Sequence, residues 1–198
     1  MQPPAQQIVT PSIPSSIHVI KNGNLFIIGN NFLQTFSLAS SQGLLMKTLN
    51  LQVKGSAYVS KSDQVFIGTN EGLKVFSAEN LSSTTTYFPT SEVEVVEVLE
   101  RKDKVLFSTE KQIIQLDLSN YRISSLLQKI EQKVTAMTSD EENEFLFVAD
   151  RGKRLMKFCI KDSKVVKQVE METVPTALSC SHSGQLLSVG FEDGSFAE

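Results

Sequence analysis

An all-β fold assembled from a repeat of about forty residues is predicted by three features of this sequence. First, five short apolar runs each close on a small residue. The first is Leu25-Phe26-Ile27-Ile28-Gly29, and the others end at Gly68, Ser108, Ala149 and Gly190, spaced 39, 40, 41 and 41 apart. Second, an apolar anchor follows each of the first four runs, at Phe36, Phe76, Leu116 and Phe158, spaced 40, 40 and 42 apart. Third, each run is preceded by a polar turn, such as Lys21-Asn22-Gly23-Asn24 or Lys61-Ser62-Asp63-Gln64. Asn, Asp and Gly suit such turns because they tolerate a left-handed backbone or bond back to it. Two independent series sharing one period mark a repeat architecture.

Each unit then reads in the same order. A first strand is expected at 56–59, 95–99, 134–137 and 176–179, ahead of the polar turn. The second strand is the apolar run, and its continuity, in place of alternation, means that both faces are covered. A polar loop such as Thr69-Asn70-Glu71-Gly72 leads into a third strand, Leu73-Lys74-Val75-Phe76 in the second unit. The fourth strand is more polar, as in Val165-Val166-Lys167-Gln168-Val169, which suits an outer edge facing water. Four strands in forty residues, sheltered on both faces by neighbouring copies, make a β-propeller blade. A sandwich also spaces its strands closely, but nothing in it requires one forty-residue repeat. Residues 118–132 place Ile123, Leu126, Leu127 and Ile130 at helical spacing, so a helix is the alternative to the outer strand there. The organisation expected is a flexible arm over 1–15, carrying Pro3, Pro4, Pro11 and Pro14, and blades at 16–52, 53–92, 93–132, 133–173 and 174–198, the last partial.

Composition restricts the function classes. With 40% hydrophobic and 21% charged residues, the chain has enough apolar material for a core and too much for disorder. A net charge of −3 argues against wrapping nucleic acid over the whole surface. Cys159, Cys180, His18 and His182 form no CxxC pair and no His–Cys set at ligand spacing, so neither a metal nor a disulfide framework is expected, and a reducing compartment, cytoplasm or nucleus, is. No apolar run approaches the roughly 18 residues of a spanning helix, and residues 1–16 lack the apolar core of a signal peptide.

Motifs for catalysis are equally sparse, and no enzyme activity or cofactor is expected. There is no GxSxG, P-loop or GxGxxG pattern, and His18 and His182 fall in a first strand and a turn. Glu92, Glu94, Glu97 and Glu100 cluster in sequence, with Glu92 and Glu94 reading as the solvated face of a strand. Asp140, Glu141, Glu142 and Glu144 form an acidic turn without a calcium-loop pattern, and a solvated turn is expected. Arg151, Lys153, Arg154 and Lys157 are the densest basic run. It could meet phosphate or an acidic peptide, although a solvated loop is the plainer reading.

Residues 177–195 carry an apolar strand, the Ser181-His182-Ser183-Gly184 turn, Leu186-Leu187, the small Gly190 and an Asp193-Gly194 turn. This segment resembles a WD40 repeat, and the resemblance weakens upstream while keeping its spacing from about Ile17. The Gly-His dipeptide of that family is absent, the Trp-Asp dipeptide survives only as Leu116-Asp117, and there is no tryptophan. The resemblance implies a degenerate WD40-like β-propeller, about four and a half four-stranded blades of a seven-bladed ring, with the chain expected to be one part of a longer polypeptide or to be completed by something else. The alternative is a five-bladed ring closed by Ile8-Val9. It also implies that the loops between second and third strands share a face with the inter-blade loops. That face would hold Asn30, Asn70, Lys111, Arg151, Arg154 and Glu192, the expected partner-binding residues.

The leading functional expectation is a non-catalytic scaffold or adaptor within a multi-subunit complex, binding other proteins through polar peptide segments. One alternative is a phosphoinositide-binding propeller of the autophagy type, since the segment 67–77 looks like an early blade of that family. The paired-arginine motif of that family is not found here. Another is an accessory subunit of an RNA-processing or ribosome-assembly complex, without direct nucleic-acid contact.

Overall fold

The computed structural model describes residues 8–21, 23–38, 44–110, 112–128, 130–181 and 184–198. Asn22, Lys111, His182, Ser183 and residues 1–7 of the N-terminal arm lie outside the described residues. The chain forms five antiparallel sheets, each pairing its strands in chain order. The first contains β1 (Pro14–Val19), β2 (Leu25–Gly29), β3 (Phe32–Ser37) and β4 (Leu44–Asn50); the second contains β5 (Gly55–Val59), β6 (Gln64–Thr69), β7 (Gly72–Ser77) and β8 (Ser83–Tyr87). The third contains β9 (Val96–Leu99), β10 (Lys104–Ser108), β11 (Gln112–Asp117) and β12 (Ile123–Gln128), and the fourth β13 (Val134–Ser139), β14 (Phe145–Asp150), β15 (Arg154–Cys159) and β16 (Lys164–Glu170). The fifth contains β17 (Pro175–Cys180), β18 (Leu187–Phe191) and β19 (Phe196–Ala197).

Two compact units divide the chain. Residues 1–89 carry the first two blades and residues 90–198 the other three. Two sequence expectations change and one alternative is decided for the expected outer strand. The half unit at 174–198 makes a fifth blade, because Phe196 and Ala197 pair with Gly190 and Val189 to give a third strand. The stretch with helical spacing is strand β12, whose pairing with β11 satisfies its backbone; Tyr121, at φ +56°, turns the chain just ahead of it. Pro14 and Ser15, read as arm, already belong to β1, where Ser15 Oγ donates to the Ile28 carbonyl at 3.1 Å. Further back, Ile8 packs on Ile27, Phe32 and Phe36 in blade 1.

The second strands explain the packing. Every residue of β6 from Val65 to Thr69 is buried, and β10 and β14 bury all but their first residue. In the first unit, Phe26 and Ile28 of β2 share a core with Val65, Ile67 and Phe76 of blade 2. In the second, Leu106 and Ile113 of blade 3 share a core with Leu146, Val148, Met156 and Phe158 of blade 4. β18 departs from the pattern: of its five residues only Val189 is buried.

The turns repeat as faithfully as the strands. Gly23, Asp63, Asp103, Asn143 and Gly184, at the hairpins between first and second strands, all have positive φ, between 49° and 79°. Leu81, Tyr121 and Ser163 do the same between third and fourth strands, at 54°, 56° and 52°. Register shifts at Thr35/Phe36, Val75/Phe76, Ile113/Ile114 and Lys157/Phe158 bend the outer strand in each of the first four blades. Gly29 is small for a direct reason, since a Cβ there would lie 2.1 Å from Cε1 of Phe32, which folds back beneath it.

A left-handed backbone costs an ordinary L-residue about 1–2 kcal/mol, and Asn tolerates it better. Tyr121 is 51% exposed, so little packing offsets that cost. Tyr121→Asn is expected to stabilise the protein by about 0.5–1 kcal/mol, read as a higher midpoint in thermal or urea unfolding.

Candidate interaction surface

The turns between second and third strands are built around one repeated position. Thr69, only 2% exposed, donates through Oγ1 to the Gly72 carbonyl at 2.9 Å and accepts from the Glu71 N–H at 3.1 Å. Thr109 makes the matching bond to the Gln112 carbonyl at 3.3 Å. Asp150 takes the same place in blade 4, fully buried, with Oδ1 accepting from the Gly152 and Arg154 N–H groups at 2.9 and 3.2 Å. The segments entering the next blade bond against these turns. The Val53 N–H donates to Asn30 O at 2.7 Å, Lys54 to Gly68 O at 2.9 Å, Arg151 to Lys133 O at 2.9 Å and Glu192 to Val174 O at 3.0 Å. The turn backbone is therefore held while its outward side chains face water.

Of the expected partner-binding residues, Asn30, Asn70, Arg151 and Glu192 are exposed on these turns. Asn70 donates to Gln52 Oε1 at 2.6 Å. Lys111 lies outside the described residues. Arg154 stands apart from the rest, because its guanidinium is committed within the protein. Nε and Nη2 donate to Asp150 Oδ2 at 2.9 and 2.6 Å, and Nη1 reaches Glu131 Oε2 at 2.6 Å. The Asp150 carboxylate holds the guanidinium above its ordinary range.

The hairpins between first and second strands tie blade 3 to blade 4. Asn143, 5% exposed, donates through Nδ2 to Ser139 Oγ at 3.2 Å and the Asp140 carbonyl at 2.9 Å, and its Oδ1 accepts from the Arg101 N–H at 3.1 Å. Arg101 clasps Glu141 and also Glu142, the latter at 2.5 Å, and Lys102 donates to the Asn143 carbonyl. The acidic turn expected to be merely solvated is thus an inter-blade clasp. Glu92 and Glu94 likewise precede β9 and share Lys133. Glu97, in sequence only one member of the glutamate cluster, reaches the next blade. Its Oε1 accepts from the Ser139 N–H at 2.9 Å and from Ser139 Oγ at 3.1 Å. Burial lifts this carboxyl to about 7, against the pull of the Ser139 bonds.

Groups with chemical potential are dispersed. In the first unit His18 Nε2 lies 3.4 Å from Ser56 Oγ, which also meets Ser16 Oγ at 2.8 Å, and burial pushes the imidazole below its ordinary value. Burial pushes the Cys180 thiol up, away from the thiolate that reacts. Among the described residues, no group of three or more His, Cys, Asp or Glu is placed to hold a metal ion.

The fold is that of a degenerate WD40-type β-propeller. The β-propeller domain of Cps50 (Swd1) from Myceliophteria thermophila superposes with a TM-score of 0.70 over 91% of this chain at 11% identity. The chain spans 63% of that domain's length. It is one of 1578 matching solved chains, so the likeness speaks for the fold and not for any one partner. No family model matches the sequence, and no curated protein does.

Two outcomes follow from Asp150 and Glu97. Asp150→Ala leaves Arg154, 16% exposed, without its main partner and opens the turn. A loss of about 3 kcal/mol is expected in urea unfolding, because an unmatched charge remains inside. Glu97 binds its proton more tightly folded than unfolded. Its stabilising contribution is therefore full below about 4.5 and is lost as pH rises through about 7. Glu97→Gln keeps an acceptor for Ser139 and is expected to outlast the parent by roughly 2 kcal/mol at pH 8, but not at pH 4.5, in melts at the two pH values. His18 contributes the opposite slope below its ordinary value, and the difference between parent and variant cancels it.

Proposed function

We propose that this protein is a non-catalytic scaffold of the cytoplasm or nucleus, holding other proteins in a multi-subunit complex through the turns between its second and third strands. The observation that carries this reading is the pairing of fixed turn backbones, anchored by Thr69, Thr109 and Asp150, with exposed side chains at Asn30, Asn70, Arg151 and Glu192. Recognition needs few side chains to be ordered when the frame is already rigid. Mixed charge on these turns suits polar peptide segments. The expected seven-bladed ring belongs to this reading as well: β18 buries only Val189, and a further blade would cover it as neighbours cover β6 and β14.

Affinity capture with the tagged protein tests the proposal. Arg151→Glu combined with Glu192→Lys is expected to reduce the captured proteins by about tenfold with an unchanged melting temperature. Arg154 is unsuitable for this experiment, since reversing its charge would break the Asp150 pair. An unchanged set of captured proteins would overturn the assignment of the turns.

A further inference from the structure

One cross-strand row breaks the repeat. Along the second, third and fourth strands it reads Phe26–Thr35–Lys47 in blade 1, Phe66–Val75–Thr85 in blade 2 and Leu106–Gln115–Ser124 in blade 3. In blades 2 and 3 it is apolar, then uncharged, then a small hydroxyl, and blade 1 ends it in a single lysine, which donates to the Asn80 carbonyl at 2.9 Å. In blade 4 it reads Phe147–Lys157–Lys167. Like charges directly opposite on neighbouring strands repel and destabilise a sheet. Among the described residues, no carboxylate forms an ion pair with either lysine. Lys157 instead rests its ammonium 3.9 Å from the ring centroid of Phe145 and 5.6 Å from that of Phe147.

The same row floors a cleft of about 300 Å³ between blade 4 and the turn before β18. Its walls are Leu155 and Val169 on one side and Leu186 and Leu187 on the other. Leu186 is 58% exposed and Val169 40%, so the apolar lining stands open to water. A cleft of this size is at the small end of ligand pockets and holds one aromatic or branched aliphatic side chain.

We infer that this cleft binds a short acidic segment of a partner protein, with one large apolar side chain inserted between Phe147 and Leu186 and flanking carboxylates paired with Lys157 and Lys167. The occupant follows from charge complementarity. Two facing ammonium groups with no carboxylate of their own call for negative charge, and the walls around them call for an apolar anchor. The repulsion between the lysines is relieved only in the bound state. The inference rests on the scaffold reading and gives that reading a second surface, on the side of the blade away from the turns.

The test is fluorescence anisotropy of the whole protein with labelled nonapeptides. One has a central Phe flanked by Glu, one replaces the Phe by Ala, and one replaces the Glu residues by Lys. The acidic Phe peptide is expected to bind, with affinity falling as salt rises; the other two are expected to bind at least about tenfold more weakly. Lys157→Val with Lys167→Thr installs the residues blade 2 carries. This variant is expected to melt no lower than the parent and to lose binding by about tenfold or more, and Leu186→Asp to lose it as well. No binding of the acidic Phe peptide, equal binding to the Lys157→Val/Lys167→Thr variant, or equal binding of the Ala or Lys peptides overturns the inference. Displacement of the peptide by equimolar inorganic phosphate would overturn it too, by making the site a simple anion site. If the peptide fails while affinity capture still depends on Arg151 and Glu192, the cleft assignment falls and the scaffold reading stands.

Discussion

A strand with apolar side chains on both faces cannot stand at a surface, and four such strands, β2, β6, β10 and β14, dominate this chain. Each must be covered twice, by something of matching shape, and a neighbouring copy of the same unit supplies that shape. β6, β10 and β14 show the result, with buried residues along nearly their whole lengths. The remaining features of a unit follow from serving this strand. The closing residue Gly29 is small because Phe32, at the start of the third strand, folds back against it. The fourth strand is polar because only the outer edge is left for it, and β16 is exposed throughout.

Stacking of copies gives the period a second meaning. Residues about forty apart in sequence become neighbours in space, so bonds between blades join positions near one repeat apart. Ser16 meets Ser56 at a separation of 40, Arg101 meets Glu142 at 41, and Glu97 meets Ser139 at 42. A side chain in one blade is thus read by its counterpart region in the next, and a charge placed in one unit must be answered there. Arg101 with Glu141 and Glu142 is such an answer. Lys133, shared between Glu92 and Glu94, is another.

This double role of the period explains what was legible in the sequence. The strands, their order and the left-handed turn positions are local properties repeated five times, so Gly23, Asp63 and Asp103 announce themselves by spacing and type. The anchors Phe36, Phe76, Leu116 and Phe158 are all buried, as their series implied. Helical spacing over 118–132 left a helix as the alternative to the outer strand, and the pairing of β12 with β11 outweighs that short stretch of periodicity. The side-chain bonds were hidden for a different reason. Asp150 and Arg154 sit among four basic residues and read as part of a basic loop, although only the fold shows that Asp150 has no exposure at all. The one available signal was its alignment with Thr69 and Thr109, since an acid replacing a buried threonine at a turn needs a cation nearby. Glu97 carried no such signal, because its partner Ser139 lies in the next unit and is an ordinary strand residue.

In a repeat protein, residues that obey the repeat mostly answer to the fold, and departures from it identify what the fold does not require. Some departures are compensated where they stand. Asp150 replaces a threonine and brings Arg154 with it, so the turn closes as it does in the other blades and no charge is left over. Lys157 and Lys167 are of the other kind, since two like charges face each other in a row that is uncharged in blades 2 and 3 and holds a single lysine in blade 1, and no carboxylate among the described residues balances them. A change with its compensation built in costs the fold little and demands no further cause. A pair that raises the energy of the free protein and meets no compensation inside it has its balancing charge elsewhere, and the open apolar cleft beside those lysines is where such a charge can approach.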